Sequence, residues 1–348
     1  MTPGRARFDA AELRSVLDAY DLDALGFGAP TSIKEVPLGS PQAPKAVIEC
    51  AGGRLLLKRR APARSEVASL RLAHRVQEAC NSSGIGVALP FRERSGQRFV
   101  MTGDGACELF PWIDGRADDR GAGDAFQSGA TLASFARASE GLGRDAPPPG
   151  LHRSPTVRTW LDGLSNALAE AYERCGEEAA CDLAGSGFDR TAVVHGDWHP
   201  GNLLFEDRTP TRVAALLDFD GVAQGPVWFD AACGTLMASL PREPSSLAGD
   251  GPLRLDADRA IAFLRGLASA LGPNAAGDRG WRAIAPLMIE TLLAELAEPV
   301  AVTGSLGGLD GTAVLRALDR ELPRLEAQCR ALVGIVLNRS PGEPKIMA

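Results

Sequence analysis

The residues with the clearest chemical potential lie between positions 193 and 230. An apolar run, Val193-Val194, ends in His195-Gly196-Asp197; beyond Trp198-His199 the chain passes through Pro200-Gly201 into Asn202-Leu203-Leu204-Phe205. Pro followed by Gly demands a tight turn, so Asp197 and Asn202 are predicted to converge on one side of it. Sixteen positions past Asn202, a second apolar run, Leu216-Leu217, ends in Asp218-Phe219-Asp220-Gly221. Asp218 and Asn202 at the mouths of neighbouring strands are hard oxygen ligands of the kind that suits Mg2+. A second chemistry is open on the same residues. His195, Asp197 and His199 alternate, and alternate residues of an extended strand share a face, as a metal hydrolase would use them. Pro200 interrupts that strand, and only His74 and His152 exist as further histidines.

Several elements must hold these groups in place. Residues 9–24 carry Leu13, Val16, Leu17 and Tyr20 at helical spacing. Short β-like runs follow at Ile33–Leu38, Ala46–Cys50, Leu55–Lys58 and Gln97–Thr102, and Ala51-Gly52-Gly53 is a hairpin signal between the second and third. Lys58 directly ends the apolar run Leu55-Leu56-Leu57. A helix is predicted over Ser65–Cys80, closed by Asn81-Ser82-Ser83-Gly84. Beyond a strand end at Glu108-Leu109-Phe110-Pro111, helices are predicted at 125–140 and about 157–178, divided by the Pro/Gly-rich loop 145–150. Two strands, Ala192–His195 and Ala214–Phe219, then flank a polar loop, and helical patterns dominate from 228 onward. The layout is a small antiparallel sheet with one helix, followed by a larger helical lobe, and a tail at 338–348 without a core face.

Composition excludes several classes. The chain has 348 residues, 45% hydrophobic and 23% charged, which is the balance of a globular protein. Lys+Arg 37 against Asp+Glu 44 gives a formal net charge of -7, the wrong sign for binding nucleic acid through bulk electrostatics. Seven scattered cysteines form no CxxC pair, so neither a disulfide scaffold nor a zinc ribbon is indicated. The first twenty residues carry charges where a signal peptide needs an apolar core, and the most apolar long stretch, Ala283–Val302, is broken by Pro286, Glu290, Glu295, Glu298 and Pro299. A cytoplasmic protein without a membrane span is the expectation; the sequence leaves the oligomeric state open.

The order His-x-Asp-x4-Asn, then Asp-Phe-Asp, then Gly225-Pro226-x3-Asp230 resembles the aminoglycoside phosphotransferase and choline kinase superfamily. The first element alone would arise by chance in a few per cent of chains this long, since it fixes three residues at roughly 1 in 20 each. Together with the other two, at similar separations, coincidence is implausible. Glu108-Leu109-Phe110-Pro111-Trp112-Ile113-Asp114-Gly115 is similar to the family's interlobe hinge, and Leu55–Lys58 to its phosphate-lysine strand. The resemblance implies an α+β, bilobal protein-kinase-like fold, with an N-terminal nucleotide-binding lobe at 1–107, a hinge at 108–115 and a catalytic and acceptor-binding lobe at 116–337. It implies transfer of the γ-phosphate of ATP, with Mg2+, to a hydroxyl of a small molecule such as an aminoglycoside, amino alcohol or sugar.

In that scheme Asp197 is the catalytic residue, orienting the acceptor hydroxyl and taking its proton late. Asn202, Asp218 and Asp220 are the metal ligands. Lys58, Gly39, Ser40 and His199 face the nucleotide phosphates, while Glu108 and Phe110 contribute hinge backbone. His195 and Asp230 support the catalytic loop. Protein kinases pair the strand lysine with a helix glutamate; His74 stands at that place here, so Lys58 is expected to turn to Glu66 or Glu78, or to stand alone. The acidic Glu290, Glu295 and Glu298 are candidates for the acceptor cleft. A Ser/Thr protein kinase of the same fold and a nucleotide-binding pseudokinase scaffold are the alternatives.

Overall fold

Asp9 starts the first helix, its carboxylate accepting from the N–H groups of Ala11 and Glu12, and α1 spans Ala10–Asp18. In this computed structural model the described residues are 6–36, 42–142, 155–184, 191–226, 228–241, 253–271, 278–306 and 309–337. The helix is shorter than the expected 9–24. Asp21 accepts from the N–H of Ala24 and begins a turn, while Tyr20, past the helix end, still enters the core.

Five strands follow: β1 (Pro30–Val36), β2 (Lys45–Cys50), β3 (Gly53–Arg59), β4 (Val100–Thr102) and β5 (Gly105–Pro111). They form one antiparallel sheet in the order β1-β2-β3-β5-β4. Paired residues of an antiparallel ladder share a face, so register sorts the side chains. Ala46, Ile48, Leu55, Leu57, Cys107 and Leu109 form one buried face, packed with Val16 and Tyr20 of the N-terminal segment. Lys45, Lys58 and Glu108 are aligned across β2, β3 and β5 on the opposite face. Val47, Leu56 and Phe110 make the next row there. Against that face lies α2 (Val67–Ser82), which buries His74 and Gln77 along with Leu70 and Val76.

The larger lobe is built on α3 (Ala122–Ala138), α4 (Pro155–Leu164), α5 (Asn166–Leu183), α6 (Phe229–Ser239), α7 (Ala257–Leu271), α8 (Asp278–Thr303) and α9 (Gly311–Leu337). Leu161, Leu168, Tyr172, Phe263, Met288 and Leu325 belong to its continuous core. The helix expected over 157–178 is two helices. Ser165 divides them, its hydroxyl accepting from the N–H of Leu168 and capping α5. Among the described residues no helix is long and apolar enough to cross a membrane.

Between α5 and α6 run four short strands: β6 (Thr191–Val194), β7 (Leu203–Phe205), β8 (Val213–Leu216) and β9 (Ala223–Pro226). β7 pairs with β8 and β6 with β9, so the two strands expected from the sequence belong to separate ribbons. The lobes are stitched together by a parallel bridge between Val87 and Leu216 and by the Gly86 carbonyl accepting from the N–H of Leu216. A Cβ on Gly86 would come within 2.0 Å of the Ala214 carbonyl oxygen, so only glycine permits this approach. β5 continues to Pro111, past the expected hinge start at 108, because Glu108, Leu109 and Phe110 are all paired to β3. Trp112 follows the strand, its N–H accepted by the Arg54 carbonyl. The tail 338–348 and the loop 145–150 lie outside the described residues.

Candidate active site

The turn after β6 is held from below. The Asp230 carboxylate at the start of α6 accepts from the backbone N–H groups of His195 (2.6 Å) and Gly196 (2.9 Å). Burial pushes the Asp230 carboxyl up, against the opposing pull of His195 and these two N–H groups. Gly196 has φ +78°, and a Cβ there would sit 2.2 Å from the Gly221 carbonyl oxygen. The His195 ring is enclosed by Phe135, Trp198 and Phe219, and its Nε2 donates to the Leu217 carbonyl at 3.1 Å. Among the described residues His195, Asp197 and His199 do not bring their ligand atoms together as a metal cluster would.

Asp197 and Asn202 do converge. Asn202 Nδ2 donates to the Asp197 carbonyl (2.9 Å) and to its Oδ2 (3.0 Å). His199 Nδ1 accepts from the Gly201 N–H at 3.0 Å, which leaves Nε2 as the protonated nitrogen, 3.5 Å from Asp197 Oδ2. Burial alone would raise the Asp197 carboxyl, but the His199 contact outweighs it and the pKa is lowered; on His199, burial is outweighed by Asp197 and the pKa is raised.

Asp218 follows β8 with φ 60°, an uncommon backbone state for a residue other than glycine. The Leu217 N–H donates to the Asn202 carbonyl just before it and fixes the approach. Asp218 Oδ1 is 2.6 Å from Lys58 Nζ, and Asp218 Oδ2 is 3.3 Å from Lys45 Nζ. Lys58 also reaches Asp220 Oδ2 at 2.8 Å. Burial opposes the charge on both Lys58 and Asp218. The carboxylates more than compensate at Lys58, which is held above its ordinary pKa, and the lysines do so at Asp218, held well below.

Lys58 therefore takes partners other than the expected Glu66 or Glu78. Glu66 stands at the N-terminus of α2, and Glu78 is engaged by Arg98 (2.8 Å) and Arg92 (3.4 Å). The helix position occupied by His74 serves a different pair. His74 Nε2 donates to Glu108 Oε1 at 2.6 Å, and Arg60 holds the same carboxylate from Nε (2.6 Å) and Nη2 (3.1 Å). Arg60 Nε is also 3.2 Å from Asp220 Oδ1. A chain of side-chain contacts thus runs from His74 on α2 to the Asp-Phe-Asp segment.

Glu108 and Phe110, expected on the hinge, lie inside β5. Glu108 is 0% exposed, and its carboxylate is engaged by Arg60 and His74. Burial would raise its carboxyl, but Arg60 and His74 bring it down to about 2. Phe110 joins Val47 and Leu56 in an apolar row beside the lysines. Gly39 and Ser40 lie outside the described residues. Glu290 is buried and Glu295 exposed on α8, while the Glu298 side chain is not described. A separate acidic group, Asp118, Asp119 and Asp124, is structural in character, since Arg259 pairs with Asp118 and Arg116 with Asp124.

Lys45 and Arg60 are the site residues that the motifs did not flag. A signal for Lys45 existed: counting outward across the hairpin from Cys50 and Gly53 sets Lys45 opposite Lys58. Chemically, the cleft offers two ammonium groups on the sheet side and three carboxylates with a carboxamide on the helical side. Asn202 commits Nδ2 to Asp197, leaving Oδ1 as its open ligand atom, so Asn202, Asp218 and Asp220 fit a hard divalent cation.

This architecture, a five-stranded antiparallel lobe closing a charged cleft over a helical one, is the bilobal protein-kinase-like fold. The model of the phosphotransferase enzyme family matches residues 33–287, and the chain belongs to that family. An aminoglycoside phosphotransferase from Alicyclobacillus acidocaldarius superposes with a TM-score of 0.66 at 16% identity, covering 97% of this chain and 98% of its own. A microcompartment-associated aminopropanol kinase gives 0.64 at 18% identity, covering 94% and 98%. An amicoumacin kinase solved with AMP-PNP and Ca2+ gives 0.64 at 14%, covering 92% and 96%. No curated protein matches the sequence at a significant level.

Proposed function

We propose that the chain moves the γ-phosphate of ATP to a hydroxyl group of a small molecule, with Mg2+ as the metal. The observation that carries this reading is the meeting of Lys58 with Asp218 and Asp220, at 2.6 and 2.8 Å, beside the Asp197–Asn202 pair. A fixed cation from one lobe and oxygen ligands from the other are what a triphosphate substrate needs, because phosphoryl transfer rests on positioning and charge neutralisation.

Asn202 Oδ1, Asp218 and Asp220 would hold Mg2+, which when bound neutralises charge on the phosphates. Lys58 steadies the phosphates, and Val47, Leu56 and Phe110 give the base an apolar surface. Asp197 accepts a hydrogen bond from the acceptor hydroxyl and takes its proton late in the transfer, so modest basicity suffices. Asn202 Nδ2 and His199 Nε2 hold its carboxylate in one orientation. Asp230 fixes the turn from beneath.

An acceptor bearing an amine fits best. Glu295 adds negative charge near His199 and Cys233, as seen in its influence on both groups. Three structurally similar proteins are by name an aminoglycoside phosphotransferase, an aminopropanol kinase and an amicoumacin kinase. ADP release measured over a panel of aminoglycosides, amino alcohols, sugars and homoserine, with a generic protein substrate alongside, tests the reading. Acceptor-dependent turnover with an amine-bearing small molecule is expected. Turnover on the protein substrate alone would favour a protein kinase, and no turnover with any acceptor would contradict enzymatic transfer.

A further inference from the structure

Lys45 and Lys58 face each other directly across β2 and β3, and like charges at such positions repel. Their side chains are only 20% and 6% exposed, so solvent screens the repulsion weakly. The pair is tolerated because Asp218 divides its carboxylate between them, Oδ1 to Lys58 at 2.6 Å and Oδ2 to Lys45 at 3.3 Å. The two lysines are not equivalent beyond that. Lys58 has a second carboxylate in Asp220 at 2.8 Å, whereas Asp218 is the only carboxylate paired with Lys45 among the described residues.

We propose that Lys45 is a second phosphate-binding cation, held by Asp218 and within reach of the phosphates of a nucleotide bound in the cleft. The inference rests on the nucleotide-binding reading above. Each Asp218 oxygen keeps a lone pair for a cation, but a divalent cation there would repel both ammonium groups and weaken the hold of Asp218 on them. Lys58 has Asp220 as a second carboxylate to share. Lys45 is the less buried of the two, and arriving phosphates are anions that can take it. In the sequence just before it, Pro41 and Pro44 have no N–H to offer an anion. A lysine at the first position of β2 supplies positive charge.

The test is equilibrium binding by titration calorimetry, on the full chain and on its Lys45→Met, Lys45→Gln and Lys45→Arg variants. Each is titrated with Mg-ATP, ATP without metal, AMP and adenosine, after circular dichroism has checked folding. Loss of one charge-assisted contact to phosphate should weaken Mg-ATP binding about tenfold to a hundredfold in the neutral variants. Adenosine should bind unchanged, and Lys45→Arg should retain most of the Mg-ATP affinity. Equal Mg-ATP affinity in the Met and Gln variants would overturn the proposal, as would a loss that is equally large for adenosine, since Lys45 would then only shape the cleft. If the unsubstituted chain binds no nucleotide, the nucleotide-binding reading itself fails and takes this proposal with it. If it binds Mg-ATP and the Lys45 variants bind it equally well, that reading stands and the proposal falls.

Discussion

Lys58 and Asp218 stand 160 positions apart in the chain and meet at 2.6 Å across the cleft between the two lobes. Neither lobe can form the site alone, because one supplies the cations and the other the oxygen ligands. The contact also sets the electrostatics of the cleft. With both groups largely withdrawn from water, each stabilises the charged form of the other.

Behind this contact, Arg60 is predicted to be a stability residue. Arg60→Met takes from the fully buried Glu108 its guanidinium partner and leaves only the His74 hydrogen bond, and breaking a buried ion pair in this way costs about 3 kcal/mol. Urea denaturation at pH 7 measures it. In the double variant with Glu108→Gln, much of that loss should be recovered; equal losses with and without Glu108 would contradict the pairing.

The same carboxylate predicts acid sensitivity. Glu108 lies near 2 in the folded chain, below its ordinary 4.5, so the unfolded chain takes up its proton first as the pH falls. Its contribution is fully present above about pH 4.5 and is lost as the pH drops toward 2. Denaturant midpoints followed downward from pH 7 should therefore fall less steeply in Glu108→Gln than in the unsubstituted chain. Matching slopes would contradict this assignment.

His199 should govern the acid limb of activity. Its Nε2 faces Asp197 and helps to hold that carboxyl down, so His199→Ala should move the acid limb of kcat/KM to higher pH. The direction follows because Asp197 must be ionised to accept a proton and loses a stabilising donor. A limb that stays in place would show that His199 does not act through Asp197.

Asp230→Asn tests the support under the catalytic turn. The carboxylate accepts two N–H groups, whereas a carboxamide offers one oxygen and places its NH2 against the other donor. The Asp197 turn should loosen, lowering kcat about tenfold or more while Mg-ATP affinity is retained, since small displacements of a reacting group are costly. A change confined to nucleotide affinity would relocate the role of Asp230.

Much of this site can be read along the chain. The Pro200-Gly201 turn brings Asp197 to Asn202, and the apolar run into Asp218 delivers a carboxylate to the same place, because a turn and a strand end are local features. The partnerships of Lys58 are not local. Sequence spacing pointed to Glu66 or Glu78 on α2, but Asp218 and Asp220 win because they sit opposite Lys58 across the closed cleft. Glu108 was legible as a strand end; its burial depends on Arg60 and His74, which reach it from two other elements. β7 and β9 were missed for a related reason. At 3 and 4 residues, they are too short to show alternation and exist through their pairing to β8 and β6.

The most direct test compares Asp197→Ala with the unsubstituted chain in two measurements on the same preparation: Mg-ATP binding by calorimetry and acceptor-dependent ADP release. Removal of the group proposed to orient and deprotonate the acceptor should lower turnover by about 10³-fold or more while Mg-ATP affinity stays within about twofold, because Lys58, Asp218 and Asp220 are untouched. Turnover of Asp197→Ala at the rate of the unsubstituted chain would contradict the account.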